Sequence, residues 1–219
     1  MPVVDSAISH SPIALKRAGV VAYLDALELQ RSLHKEIAAD LRENTLLLLE
    51  HPSVFTAGKR TQDHERPNDG SLVIDVDRGG KITWHGPGQL VGYPIVRLAK
   101  PTELVGFVRE IESALIFICQ ELGLAAERVE GRSGVWVVDD RGARKIAAIG
   151  IRVASGVSMH GFALNIDPDL SAYELIIPCG IDDASVTSLS KELGRSISTD
   201  EVLPIVEKHM YESLAKVSR

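Results

Sequence analysis

Four leucines in succession, Leu46 to Leu49, constrain this chain more than any other feature. A half-exposed strand alternates apolar and polar residues, whereas an unbroken run of this length reads as a strand covered on both faces. The run from Thr45 to Leu49 ends at Glu50-His51-Pro52 and calls for apolar layers on either side of it. Helical spacing supplies candidates. Ala22, Ala26, Leu29, Leu33, Ile37 and Leu41 recur at steps of three and four. Pro101-Thr102 opens a second helix, whose stripe runs through Leu104, Phe107 or Val108, Ile111, Leu115, Ile118 and Leu122 to Gly123. A third, Val202, Ile205, Val206, Met210 and Leu214, follows the capping box Ser198-x-x-Glu201. Strand-like segments lie at Ile13 to Arg17, Leu72 to Asp75, Ile82 to His85, Gln89 to Val96, Gly134 to Val138, Lys145 to Val153 and Val157 to Ile166. Strands follow one another without regular helix alternation, so the expected class is α+β: a mostly antiparallel or mixed sheet flanked by helices. No repeat or linker divides residues 1–219, which read as one domain.

Composition narrows the function classes. Lys and Arg number 24 against 30 Asp and Glu, a formal charge of −6, which disfavours nucleic acid as a partner. No apolar run exceeds seven residues, so no membrane-spanning helix is expected, and the N-terminus lacks the pattern of a secretory signal. The cytoplasm is the expected location. Cys119 and Cys179 form no CxxC motif and read as reduced thiols. Cys119 sits on the second helical stripe, as a small core hydrophobe does. Cys179 lies in Pro178-Cys179-Gly180, a rigid turn that suits either a buried structural thiol or a presented nucleophile. A nucleophile needs help to become thiolate. His51, His85 and His160 are candidate partners, and so is Lys145, whose position at the start of the buried run Ile146 to Gly150 suits it to proton transfer or simply to snorkelling.

The densest glycine segment, Arg78 to Pro94, brings Arg78, His85 and Gln89 to turns where the backbone is open to a ligand. It is neither a Rossmann fingerprint nor a P-loop, and the histidines show no metal-ligand spacing, so no metal is expected. Between Arg128 and Arg152, six basic residues (Arg128, Arg132, Arg141, Arg144, Lys145 and Arg152) stand against Glu130, Asp139 and Asp140, a balance of +3 that fits either a solvated face or an acidic protein partner.

Taken together, these segments resemble the lipoyl(octanoyl) transferases. The match lies in Arg78-Gly79-Gly80-x-x-Thr83-Trp84-His85-x-x-Gly88-Gln89-x-Val91-x-Tyr93, in Glu50-His51-Pro52 with Phe55-Thr56-x-Gly58, in Lys145-Ile146-x-Ala148-Ile149-Gly150, in His160 to Asn165 and in Pro178-Cys179-Gly180-Ile181. The resemblance implies a fold similar to the biotin and lipoate protein ligases, with Cys179 carrying an acyl thioester and Lys145 activating it. It implies octanoyl-acyl carrier protein as donor and, as acceptors, lipoyl domains of 2-oxoacid dehydrogenase E2 subunits and glycine cleavage H protein. No cofactor is required. Arg78, Gly79, Gly80, Lys81, Ile82, Thr83, Trp84 and His85, with Ala148, Ile149, Gly150, Gly161, Phe162 and Ala163, would line the substrate site. The run Ala147 to Ile151 with Phe162 is the expected wall for the acyl tail. Two alternatives are an ATP-dependent ligase of the same fold and a non-catalytic protein that binds lipoyl domains.

Overall fold

The computed structural model describes residues 12–176 and 185–219. Its first half comprises β1 (Ile13–Val20), α1 (Tyr23–Ala38), β2 (Asn44–Glu50), β3 (Val54–Ala57), β4 (Val73–Asp75), β5 (Thr83–His85), β6 (Gln89–Ile95) and α2 (Leu104–Glu121). The second half adds β7 (Glu127–Val129), β8 (Arg132–Asp139), β9 (Gly142–Ala154), β10 (Val157–Asn165), β11 (Ser185–Val186), α3 (Leu189–Leu193) and α4 (Thr199–Val217). The main sheet has the order β1-β2-β6-β10-β9-β8-β7, with β11 paired to β9, and β4-β3-β5 form a small second sheet. Pairing is mixed. β1–β2, β11–β9 and β3–β4 are parallel, and the remaining ladders are antiparallel.

The leucine run behaves as its pattern demands. Leu46 and Leu48 join the core shared with α2 and α4, and Leu47 and Leu49 join the core under α1. Full burial of each side chain is worth about 1.5–3 kcal/mol before entropy is counted, which makes β2 the natural seam between the two layers. On α1 the buried face runs through Tyr23, Ala26, Leu27, Gln30, Leu33 and Ile37, rotated slightly from the expected stripe. Leu41 is exposed because the helix ends at Ala38 and Asp40 turns into the left-handed region at φ 57°.

Three expectations need correction. The second helix begins at Leu104 because Lys100 to Glu103 close a turn through the Glu103 N–H and Lys100 carbonyl. The capping box is half formed: Ser198 Oγ accepts the Glu201 N–H, but the Glu201 carboxylate accepts from Arg195. Most of the basic stretch is also ion-paired, in part from outside its own sequence window. Arg128 pairs with Glu112, Arg141 and Arg144 with Asp139 and Glu192, and Arg152 with Asp77. Among the described residues no helix is long and apolar enough to cross a membrane, and no cluster of metal-ligating side chains is found.

Candidate active site

Small residues make the floor of a cavity of about 250 Å³ between the main sheet and the glycine loop. In the β9–β10 ladder Gly161 faces Gly150 and Ala163 faces Ala148, so two adjacent strands carry almost no side-chain bulk at this level. The glycines are close-packed beneath. A Cβ on Gly161 would come within 1.9 Å of the Gly92 carbonyl oxygen. Phe162 borders the cavity, but its ring lies over Gly92 and packs in the α2–α4 core, and Ala147 and Ile151 belong to that core as well. The acyl wall expected from Ala147 to Ile151 with Phe162 therefore loses Ala147 and Ile151 and keeps Ala148, Ile149, Gly150 and Phe162.

The glycine loop supplies the opposite wall. Arg78 is almost fully buried and ties the loop together: Nη1 donates to the carbonyls of Gly79 (3.0 Å) and Lys81 (2.8 Å), and Nη2 donates to the Thr56 carbonyl (2.8 Å) and Oγ1 (2.9 Å). Gly58 lets this loop approach, since a Cβ there would meet the Gly80 carbonyl at 2.5 Å. Arg78, Gly80, Lys81, Thr83 and His85 border the cavity, whereas Gly79, Ile82 and Trp84 do not. The Gly79 N–H donates to the Ile151 carbonyl, and Ile82 and Trp84 pack with Phe55, Tyr173 and Ile176.

The imidazoles in and beside the cavity are held in defined tautomers. The side-chain amide of Gln89 donates to Asn165 Oδ1 and Tyr173 Oη, which turns Oε1 toward His85, and His85 Nδ1–H donates to it at 2.7 Å. Burial, with the nearby His51 adding to it, pushes the His85 pKa down to about 3, so this ring is neutral. Tyr23 stacks on the same ring with centroids 6.0 Å apart. Behind them, His51 Nδ1–H donates to the Val21 carbonyl and Nε2 accepts from the Tyr93 hydroxyl.

His160 occupies the left-handed region at φ 57°, an uncommon conformation for a non-glycine residue and a costly one within a strand. Its Nε2–H donates to Asp77 Oδ1 at 2.8 Å, and its backbone N–H is held by Gln30 Oε1 at 2.9 Å. Its Nδ1 is buried without a hydrogen-bond partner among the described residues.

Lys145 borders the same cavity, with Nζ 4.6 Å from the Trp136 ring centroid. Val135 pairs with Ala147 and Trp136 with Lys145, so Ile146 is an extra residue, a β-bulge in β9. On a regular strand residues three apart face opposite sides. The bulge lets Lys145 and Ala148 share the cavity face while Ile146 and Ala147 both enter the core. Beyond Ala147 the ladder with β10 stops, and β11 takes its place: Ser185 pairs with Arg144 and Val186 with Lys145. Cys179 lies outside the described residues, six positions before Ser185. Cys119 is fully buried on α2, its thiol pKa pushed up to about 12 by burial.

Tyr23, Arg60, Val91, Tyr93, Gly131, Arg132 and Ser133 also border the cavity and were not expected there. Tyr23 opens α1 next to the predicted stripe, and only its aromatic, polar-tipped character at a helix start could have marked it.

A family model described as the lipoyl protein ligase A/B catalytic domain matches residues 22–211. An octanoyltransferase of Salinispora tropica is 62% identical over 200 residues, covering 90% of this chain and 94% of that protein. An octanoyltransferase of Mycolicibacterium smegmatis is 58% identical over 212 residues, covering 94% and 91%. Among solved structures, a bipartite lipoate protein ligase from Thermoplasma acidophilum superposes with a TM-score of 0.71 at 18% identity, covering 94% of this chain and 84% of the other. Lipoate-protein ligase A bound with ATP gives 0.67 at 17% identity, covering 94% and 85%. At such identities these two structures establish a shared fold, that of a mixed sheet flanked by helices.

Proposed function

Because the chain belongs to the lipoyl protein ligase A/B catalytic-domain family and is an acyltransferase that moves an octanoyl group in protein lipoylation, we propose a two-step transfer through Cys179. The donor is octanoyl-acyl carrier protein. The thiolate of Cys179 attacks the thioester carbonyl, a C–S bond to Cys179 forms, the C–S bond to the carrier's prosthetic arm breaks, and the carrier thiol takes a proton. A lysine amine of a lipoyl domain, on an E2 subunit or on glycine cleavage H protein, then attacks the acyl-enzyme. The C–N bond forms, the bond to Cys179 breaks, and a proton from the amine returns to the sulfur. Thioester exchange is nearly balanced, and amide formation makes the second step downhill without ATP. Lys145 holds and returns the proton in both steps.

The observation that carries this reading is the placement of Lys145. It stands on the cavity wall beside β11, and only six positions separate Ser185 from Cys179. Arg78 shapes the loop, Thr83 and His85 form the wall opposite the small floor of Gly150, Gly161 and Ala163, and the acyl chain lies between them. The test is the mass of the intact enzyme after incubation with octanoyl carrier protein in the absence of ATP. One octanoyl adduct mapped to Cys179 and discharged by a lipoyl domain is expected. An adduct on Cys119, or transfer that requires ATP, would overturn the reading.

A further inference from the structure

We propose that Glu112, on the helix behind the sheet, is the positioning residue for Lys145; the inference rests on the role given to Lys145 above. Glu112 is fully buried on the inner face of α2, next to Ile111 and among Ala114, Leu115 and Ile118. A carboxylate in such a place costs stability unless every oxygen is matched, and a hydrophobe of similar size would pack there at least as well. The carboxylate can anchor donors on both sides of the helix, a task that a hydrophobe cannot perform.

Its partners identify that task. Oε2 accepts from Arg109 Nη1 at 2.6 Å and from Arg128 Nε at 2.9 Å, two guanidiniums that reach in from the surface and balance the charge. Oε1 accepts the backbone N–H of Gly134 at 3.0 Å, a bond that leads into the sheet. Gly134 lies where β8 loses regular pairing on both sides. The register with β7 shifts between Glu127 and Val129, and the register with β9 shifts between Val135 and Trp136. Neither ladder pairs Gly134 itself, and the Glu112 bond pins this residue from behind.

Gly134 in turn lies beside the lysine. It sits at φ 100°, and a Cβ there would come within 2.4 Å of the Ala147 carbonyl oxygen and 3.6 Å of Lys145 Cε. The bare glycine therefore leaves room for both the Ala147 carbonyl beside the bulge and the stem of the lysine itself. Trp136, two residues along β8, supplies the ring beneath Nζ. One hydrogen bond from α2 thus sets the height of the β8 segment on which Lys145 is seated.

The experiment measures kcat, KM and melting temperature for the full-length enzyme and for Glu112→Ala, Glu112→Gln, Glu112→Asp, Lys145→Ala and the Glu112→Ala/Lys145→Ala double variant. Displacing a proton-transfer group by a fraction of an ångström should lower kcat by on the order of ten- to a hundredfold in Glu112→Ala, with KM nearly unchanged. Glu112→Gln keeps a carbonyl oxygen for Gly134 and should recover most of kcat. Glu112→Asp keeps the charge but withdraws the oxygen by one methylene and should not. The double variant should lose no more than Lys145→Ala alone. Wild-type kcat in Glu112→Ala, or a further loss in the double variant, overturns the proposal. Should Glu112→Ala fail to fold, the Gln and Asp variants decide it, and Asp outperforming Gln overturns it. An active Lys145→Ala would instead remove the underlying reading, and this inference with it.

Discussion

Nζ of Lys145 stands 4.6 Å from the ring centroid of Trp136, its cross-strand partner on β8. A cationic nitrogen over an indole face gains about 0.5–2 kcal/mol, more as the site is desolvated. The ring therefore orients a flexible four-carbon stem that could otherwise take many rotamers. Trp136→Leu should lower the rate of octanoyl transfer about tenfold, and Trp136→Phe, which keeps a weaker aromatic face, should lie between that variant and the wild type. Single-turnover acylation of Cys179 reads this directly. Equal rates in the Leu variant and the wild type would remove the ring from the account.

Acid should destabilise the fold before the carboxylates titrate. The folded pKa of His85 lies at about 3, and burial lowers those of His51 and His160 as well. In the unfolded chain a histidine titrates near 6.5, so from about 6.5 down to about 3 the unfolded state binds more protons. The stability these residues contribute is complete above about pH 6.5 and falls as pH drops, by up to about 1.4 kcal/mol per pH unit for each histidine still neutral. Urea midpoints measured between about pH 7.5 and about pH 5 should fall, and His85→Gln should flatten the slope by up to about one proton. A slope unchanged in that variant would contradict the assignment.

Gly161 admits no side chain. Its would-be Cβ meets the Gly92 carbonyl oxygen at 1.9 Å, on a backbone held in ladders from both sides. Gly161→Ala should cost about 1–3 kcal/mol or more, because neither β6 nor β10 can retreat without breaking its pairing. Calorimetry should show a melting temperature lowered by several degrees. An unchanged value would mean that the two strands separate freely.

Local pattern made part of this molecule legible. Leu46 to Leu49 specified a doubly covered strand because each leucine must be buried whichever face it takes. Lys145 and the Arg78 to His85 loop stood out by motif resemblance, and the cavity gathers most of those positions. What escaped depends on backbone geometry and distant partners. No local signal at Met159-His160-Gly161 announces a left-handed residue in mid-strand. The bulge at Ile146 interrupts a run that reads as regular, and the pairing of Arg144 with Glu192 joins residues that no sequence window contains.

That pairing bears on whether the basic stretch could serve as a face for an acidic carrier. Arg144 is nearly buried, and its guanidinium donates to both Asp139 and Glu192, so little of its charge is available to a partner. Arg141 is exposed but donates to the same two carboxylates. Arg141→Ser should leave carrier affinity and its salt dependence unchanged within about twofold, since exposed pairs are worth about 0–1 kcal/mol. Arg144→Ala should instead lower stability by about 1–3 kcal/mol, because the nearly buried Glu192 keeps only Arg141 and the Thr187 hydroxyl as donors. Titrations at low and high salt check the first, and urea unfolding the second. A steep loss of salt dependence in Arg141→Ser would restore this face as the docking surface.

The two thiols should separate cleanly by reactivity. Burial pushes the Cys119 thiol up to about 12, so it stays protonated at neutral pH, and its full burial on α2 also bars a reagent. Iodoacetamide at neutral pH should therefore label Cys179 and leave Cys119 intact in the native enzyme, as read by peptide mass mapping. Prior acylation by octanoyl carrier protein should block the label, because the reagent and the donor compete for one sulfur. Lys145→Ala should slow labelling of Cys179 while leaving Cys119 unlabelled, since a partner that helps form the thiolate helps any electrophile. Labelling of Cys179 at the wild-type rate in that variant would detach Lys145 from the first step and confine its role to the return of the proton in the second.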